Sequence, residues 1–188
     1  LEVDDYDLPE TVYVLHLDQN HRVTGTWRFL TTDQPSMIRN IWPQYTQSLP
    51  IPSSPSMCET SRFGVHCETE NRSERQKQVN LATAEMLVAL IDTCILCGIT
   101  DMYTLYNVKI KRLLERIGFK PTQVSDVIDL EGEPTITARF HMTQALSDAI
   151  RSATGVSVAI TPMDLPPILQ EKLISFHKQG EFNERRVA

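Results

Sequence analysis

The chain has 188 residues, 41% of them hydrophobic and 22% charged, which suits one domain with a sizeable core. Its formal net charge of −6 argues against nucleic-acid binding through the overall field. No apolar run approaches the roughly 18 uninterrupted residues of a membrane span. The richest stretch, Ala82 to Cys97, is broken by Thr83, Glu85, Asp92 and Thr93.

The first residues are acidic, with Glu2, Asp4, Asp5, Asp7 and Glu10. A run of this kind is ordinarily solvated surface. No secretory leader is read at Leu1, and the chain begins without a methionine. Thr11 to Leu17 alternates as a strand, and Asp18 to His21 reads as a hairpin turn without the usual glycine. Arg22 to Leu30 is the returning strand, where Gly25 signals a bulge or a close approach. Ser36 to Trp42 is a short amphipathic helix capped by Ser36. A proline- and serine-rich loop, Ser48 to Pro55, is too short to divide domains.

Cys58 to His66 is the next strand, with Phe63 and Val65 alternating against small or polar neighbours. It also carries Glu59 and Arg62. Residues three apart on a regular strand point to opposite faces, so a bulge is expected if both serve one site. The ordinary alternative is an ion pair on a half-exposed strand. Gln78 to Gly98 is the dominant helix, apolar almost all round and therefore expected to be buried on more than one side. Cys94-x-x-Cys97 lies inside it and no second such pair exists. We read those thiols as buried and structural rather than as a metal or redox site, with a reducing, cytoplasmic setting as the default. Asp101 to Tyr106 is a strand, and Val108 to Ile117 a helix ended by Gly118. Thr122 to Ile128 and Thr135 to Met142 are expected to pair around Glu131 to Pro134. The remainder, including Leu165 to His177, reads as helical. The order predicts a single α/β domain over residues 1–188, a mixed sheet with helices on its faces.

Three local patterns occur in order: Glu2-x-Asp4-x-Tyr6-Asp7, Gly25-x-x-Arg28 followed by Leu30-Thr-Thr32, and Glu59-x-Ser61-Arg62-Phe63. Together with Ser36-Met-Ile-x-x-Ile-Trp-Pro43, Tyr103-Thr104 and Arg116-x-Gly118, they resemble the LuxI-type acyl-homoserine-lactone synthases, or autoinducer synthases, over about Glu2 to Met142. The resemblance implies a three-layer sandwich around a mixed, splayed sheet, as in GCN5-type N-acyltransferases. It also implies transfer of a fatty acyl group from acyl carrier protein or acyl-CoA to the amine of S-adenosylmethionine. Lactonisation and release of methylthioadenosine then give a quorum-sensing signal.

By the same resemblance Asp4, Asp7, Arg28 and Phe63 would bind S-adenosylmethionine. Glu59 would be the base, with Arg62 and Arg28 organising the site. Ser61, Met102 and Thr104 would face the acyl group, Thr104 as a hydrogen-bond donor to a 3-oxo chain. Arg112 and Arg116 would meet acyl carrier protein. The stretch Val108 to Lys120 carries Lys109, Lys111, Arg112, Arg116 and Lys120 against Glu115 alone, a local basic patch on an acidic chain. A solvated helix face is the alternative for that patch. No metal and no cofactor beyond the two substrates is implied.

Three features depart from the family. The chain begins after the family's N-terminal helices. Trp27 stands where a small residue is common. The glycine-rich diphosphate loop of acetyl-CoA acetyltransferases has no counterpart around Val65 to Arg72. A generic N-acyltransferase for another amine and a non-catalytic binding module remain as rival readings.

Overall fold

A computed structural model describes residues 3–167 and 169–171. Glu2 and most of the helix expected up to His177 lie outside them. One seven-stranded sheet organises the chain, in the order β1-β2-β3-β4-β7-β5, with β6 also on β7. The strands are β1 (Val12–Leu17), β2 (Val23–Thr31), β3 (Met57–Val65), β4 (Asp101–Asn107), β5 (Gln123–Val124), β6 (Ile128–Leu130) and β7 (Glu133–His141). Among the described residues only β3 and β4 run parallel; every other pair is antiparallel. A parallel pair needs a long crossover, here helix α2 (Arg72–Leu96).

Helix α2 is the core of the molecule. Ala82, Ala84 and every residue from Met86 to Cys94 are buried. By length and composition alone it could cross a membrane, with a mean hydropathy of 1.7, but 56% of that window is buried inside the fold. The sheet and α4 (Gln144–Thr154) therefore account for its apolarity. Its one buried acid, Asp92, accepts from Ser147 Oγ at 2.8 Å and Arg151 Nη2 at 2.7 Å, tying the two helices together. The helix starts six residues before the expected Gln78, because Asn71 caps it by accepting from the Ser73 and Glu74 amides at 3.1 Å. It ends as expected: Gly98 at φ +70 closes a Schellman turn, with Ile99 N–H donating to the Cys94 carbonyl at 2.8 Å.

Helices α2, α3 (Val108–Arg116) and α4 share one face of the sheet, packed around Trp27, Phe29, Met102 and Phe140. The other face carries a thinner layer. It consists of α1 (Met37–Ile41), the 3-10 turn Pro43–Thr46 and the loop around Leu49 and Ile51, packed on Tyr103. These are the three layers expected. Gly25 is needed where β2 passes under α2. A Cβ there would stand 2.6 Å from Met86 Sδ and 3.1 Å from His16 Cβ. Met86 is 1% exposed, and its sulfur and the His16 Cβ must both shift to admit a methyl group. Gly25→Ala is therefore expected to cost about 1–2 kcal/mol, read as a lower denaturant midpoint at unchanged m-value.

Two expectations fail locally. Thr122 to Ile128 is not one strand but two short ones, broken at Ser125. There the Ser125 hydroxyl accepts from the Thr137 amide at 2.9 Å, and the Asp126 amide donates to Ser48 Oγ at 2.8 Å, pulling the chain off β7. After α4 the helical expectation holds only in part, in a 3-10 turn at Pro162–Asp164 and in helical residues 167 and 169–171. Gly155, at φ +74, ends that helix, and an irregular segment follows to Thr161, with the Ile160 amide donating to Asp92 at 3.4 Å.

Candidate active site

The ladder between β3 and β4 stops at Thr60 opposite Thr104. Beyond it β3 continues to Val65 on β2 and β4 to Asn107 on β7 without pairing with each other, so the sheet splays open. A cleft of about 520 Å³ fills the gap, lined by Glu59, Thr60, Ser61 and Arg62 on one strand and Leu105, Tyr106 and Asn107 on the other, with Met37 and Trp42 above. A second cavity, about 430 Å³ between β1, α2 and residues 158–166, contains none of the sequence-expected site residues.

The expected bulge is present. Thr26 pairs with Gly64 and Arg28 with Ser61, so the register slips by one at Arg62 and Phe63. Arg62 takes φ +53, a left-handed conformation that costs an ordinary side chain about 1 kcal/mol. His21 and Glu131, the other two non-glycine residues with positive φ among the described residues, sit in hairpin turns. Arg62 alone of the three adopts it inside a strand. The slip turns Arg62 to the same face as Glu59, toward Arg28 and the N-terminal segment.

There the charges interlock. Arg28 is buried, with its side chain 2% exposed. Its Nη1 donates to Asp4 Oδ1 at 2.7 Å and Asp7 Oδ1 at 2.9 Å, and its Nε to Ser61 Oγ at 2.9 Å. Arg62 Nη2 reaches the other oxygen of Asp4 at 2.8 Å. Tyr13 donates to Asp7 at 2.5 Å. Burial opposes the charge on Arg28, but Asp4 and Asp7 outweigh it and hold the guanidinium protonated. Arg28 above all, then Arg62, holds the Asp4 carboxyl well below the usual carboxylate range. Tyr13, the Asp4 amide and Arg28 do the same for Asp7.

Glu59 is 6% exposed and lies against the start of α1. It accepts from the Ser36 hydroxyl and from the Ile38 amide at 3.2 Å. Burial pushes its carboxyl up, partly offset by Ser36 and the Ile38 amide. A base tuned upward in this way suits proton abstraction near neutral pH. These shifts give opposite pH limbs. Glu59, raised in the fold above its usual 4.5, binds its proton more readily folded than unfolded, so stability rises as pH falls through its folded value. Asp4, lowered from 3.8, contributes stability above that value which is lost below it. Melting temperature against pH is expected to peak between the two limbs, and Glu59→Gln removes only the upper one.

Not every expected residue joins this cluster. Phe63 stacks edge-on against Trp27, ring centroids 4.8 Å apart, and is half exposed. Trp27 belongs to the helix-side core, so the Phe63 side chain sits across the sheet from Arg28 rather than in its cluster. Met102 is wholly buried in that core, and neither Met102 nor Thr104 lines the cleft. Ser61 holds Arg28 as well as lining the cleft. Arg112 and Arg116 are exposed on α3, beside exposed Ile110 and Leu113; Lys109 pairs with Glu133 and Lys111 with Glu115. Sequence reasoning missed Tyr13, Met37 and the contact of Ser36 with Glu59. The N-cap signal at Ser36 was the one available pointer.

Sequence and fold both have counterparts among known proteins. The family model for autoinducer synthase matches residues 1–150. An acyl-homoserine-lactone synthase of Aliivibrio fischeri is 29% identical over 126 residues, 67% of this chain and 64% of its own length. Another, from Aliivibrio fischeri strain ATCC 700601 / ES114, is 29% identical over 156 residues, 82% of this chain and 78% of its own. The structure of BjaI, a CoA-dependent acyl-homoserine lactone synthase solved with SAM and isopentyl-CoA, superposes with a TM-score of 0.70. It is 25% identical and covers 85% of this chain and 72% of its own. The match runs from the Asp4–Asp7 segment through both sides of the cleft to α4, and so the chain belongs to the autoinducer synthase family.

Proposed function

We propose that this protein is an acyl-homoserine-lactone synthase that acylates the α-amine of S-adenosylmethionine from an acyl thioester. The observation that carries this is the placing of the Asp4–Arg28–Asp7 cluster and Glu59 along the splayed edge of β3, where an amine and a thioester can meet. The substrate brings an ammonium and a sulfonium, for which Asp4 and Asp7 are the fitting partners, and a carboxylate, for which Arg28 is. Glu59 takes a proton from the ammonium, directly or through a water. The freed lone pair attacks the thioester carbonyl carbon, and the thiolate leaves. Backbone amides at the Arg62–Phe63 bulge are the oxyanion donors in this reading. The homoserine carboxylate oxygen then closes the ring on the carbon bearing the sulfonium, and methylthioadenosine departs. Holding both reactants in one cleft supplies much of the rate, and no acyl-enzyme is required.

We assign acyl carrier protein as the donor's carrier. Asn107 lines the cleft and caps α3, so the exposed Arg112 and Arg116 stand on the helix that begins at its rim. An acidic carrier would be steered by that face. A CoA donor is the second reading, favoured by the CoA-dependent relative. Arg112→Glu with Arg116→Glu separates them: a raised KM for the carrier-bound donor alone supports the first, and equal KM changes for both donors the second. A cytoplasmic setting, where both substrates are made, fits the four free thiols. Mass spectrometry of culture medium from cells expressing the full-length gene tests the activity itself. Acyl-homoserine lactones absent from the empty-vector control are expected, and none at all would sink the reading.

A further inference from the structure

Arg28 has a fourth partner that its role as a carboxylate clamp does not explain. Its Nη2 donates to Met37 Sδ at 2.8 Å. A thioether is a weak acceptor, and here it serves a buried guanidinium whose other donors hold two carboxylates and a hydroxyl. Met37 also lines two spaces at once. One is the open cleft. The other is a small space of about 10 Å³ beside Arg28, Glu59, Ser61 and Tyr6, room for about one water. With Glu59 and Ser61, which also line both spaces, Met37 therefore forms the wall between the charge cluster and the cleft.

We infer that Met37 is a displaceable gate: its thioether holds Arg28 in the empty protein, and the carboxylate of the incoming amino-acid substrate pushes it aside and takes Nη2. The inference rests on the S-adenosylmethionine reading above. A carboxylate is a charged acceptor and forms a far stronger bond to a guanidinium than a thioether does. Methionine is unbranched, with three rotatable bonds, and suits a side chain that must occupy two positions. Lactonisation converts the carboxylate to a neutral ester, and methylthioadenosine has none. Neither product can hold the gate open, so Met37 returns to Arg28 as they leave.

The exchange of a weak acceptor for a strong one fixes the signs. Met37→Leu keeps the volume and removes the competitor from the empty form. S-adenosylmethionine, titrated calorimetrically without an acyl donor, is expected to bind about fivefold tighter. Met37→Gln supplies a stronger competitor of similar length and is expected to weaken it by a similar factor. Methylthioadenosine, lacking the carboxylate, is expected to bind all three proteins alike. Weaker S-adenosylmethionine binding to Met37→Leu, no change in either variant, or parallel shifts for both ligands would overturn the gate. If wild-type protein fails to bind S-adenosylmethionine, the synthase reading falls and the gate with it. If it binds, only Met37 is at stake.

Discussion

Arg28→Ala is expected to lower kcat/KM for S-adenosylmethionine by at least about a hundredfold and to destabilise the fold by about 2–3 kcal/mol. The variant removes the common partner of Asp4, Asp7 and Ser61 at once. Asp4 keeps Arg62 and Asp7 keeps Tyr13, so the loss stays below that of a fully orphaned buried carboxylate. Arg28→Lys separates charge from shape. Its ammonium retains the positive charge, but its donors radiate from one point and cannot serve Ser61 on one side and two carboxylates on the other. A large kinetic loss with modest destabilisation is expected for lysine. Urea unfolding and steady-state rates on the same preparations read both quantities. Equal activity for lysine and arginine would show that only charge matters at this position.

Glu59→Gln is expected to lower kcat by about a hundredfold to ten-thousandfold while leaving the fold intact. The glutamine oxygen still accepts from the Ser36 hydroxyl and the Ile38 amide. What is lost is the capacity to take a proton. Removing a buried carboxylate also removes its desolvation cost, so the melting temperature of the variant at neutral pH is expected to match or exceed wild type. Alanine is the less informative change, because it unpins α1 as well as deleting the base. The wild-type pH profile of kcat/KM should show an acid limb with a midpoint above the usual glutamate value of 4.5, absent in the variant. A variant that retained wild-type kcat would assign Glu59 to anchoring α1 alone.

Much of this arrangement is legible in the residues themselves. The hairpin of β1 and β2, the Ser36 cap, the buried α2 and the Gly98 stop follow from alternation, helical period and capping chemistry, which are local. The bulge was legible for a different reason. Glu59 and Arg62 could serve one site only if the register slipped, and it slips at Arg62. What could not be read were contacts made across long separations. Ser125 breaks its strand by bonding Thr137 and letting Asp126 reach Ser48. Tyr13 reaches Asp7 because β1 pairs with β2 in the register that sets Tyr13 opposite Arg28. The face of Thr104 and Met102 is set by β4 in the sheet: period-two alternation gives them one face but does not say which side of the sheet it is. Met37 looked like an ordinary apolar position of a short helix, and only the fold brings its sulfur to Arg28.

The claim that the Asp4–Arg28–Glu59 arrangement makes a lactone from S-adenosylmethionine is tested most directly with purified full-length protein. It is incubated with S-adenosylmethionine and an acyl thioester on each carrier, and both products are measured together. Methylthioadenosine and acyl-homoserine lactone are predicted to appear in equal amounts and to fall together in Glu59→Gln. Thioester consumption that yields an acylated amine without methylthioadenosine would instead mark an N-acyltransferase for another acceptor. No turnover with either donor would contradict the account.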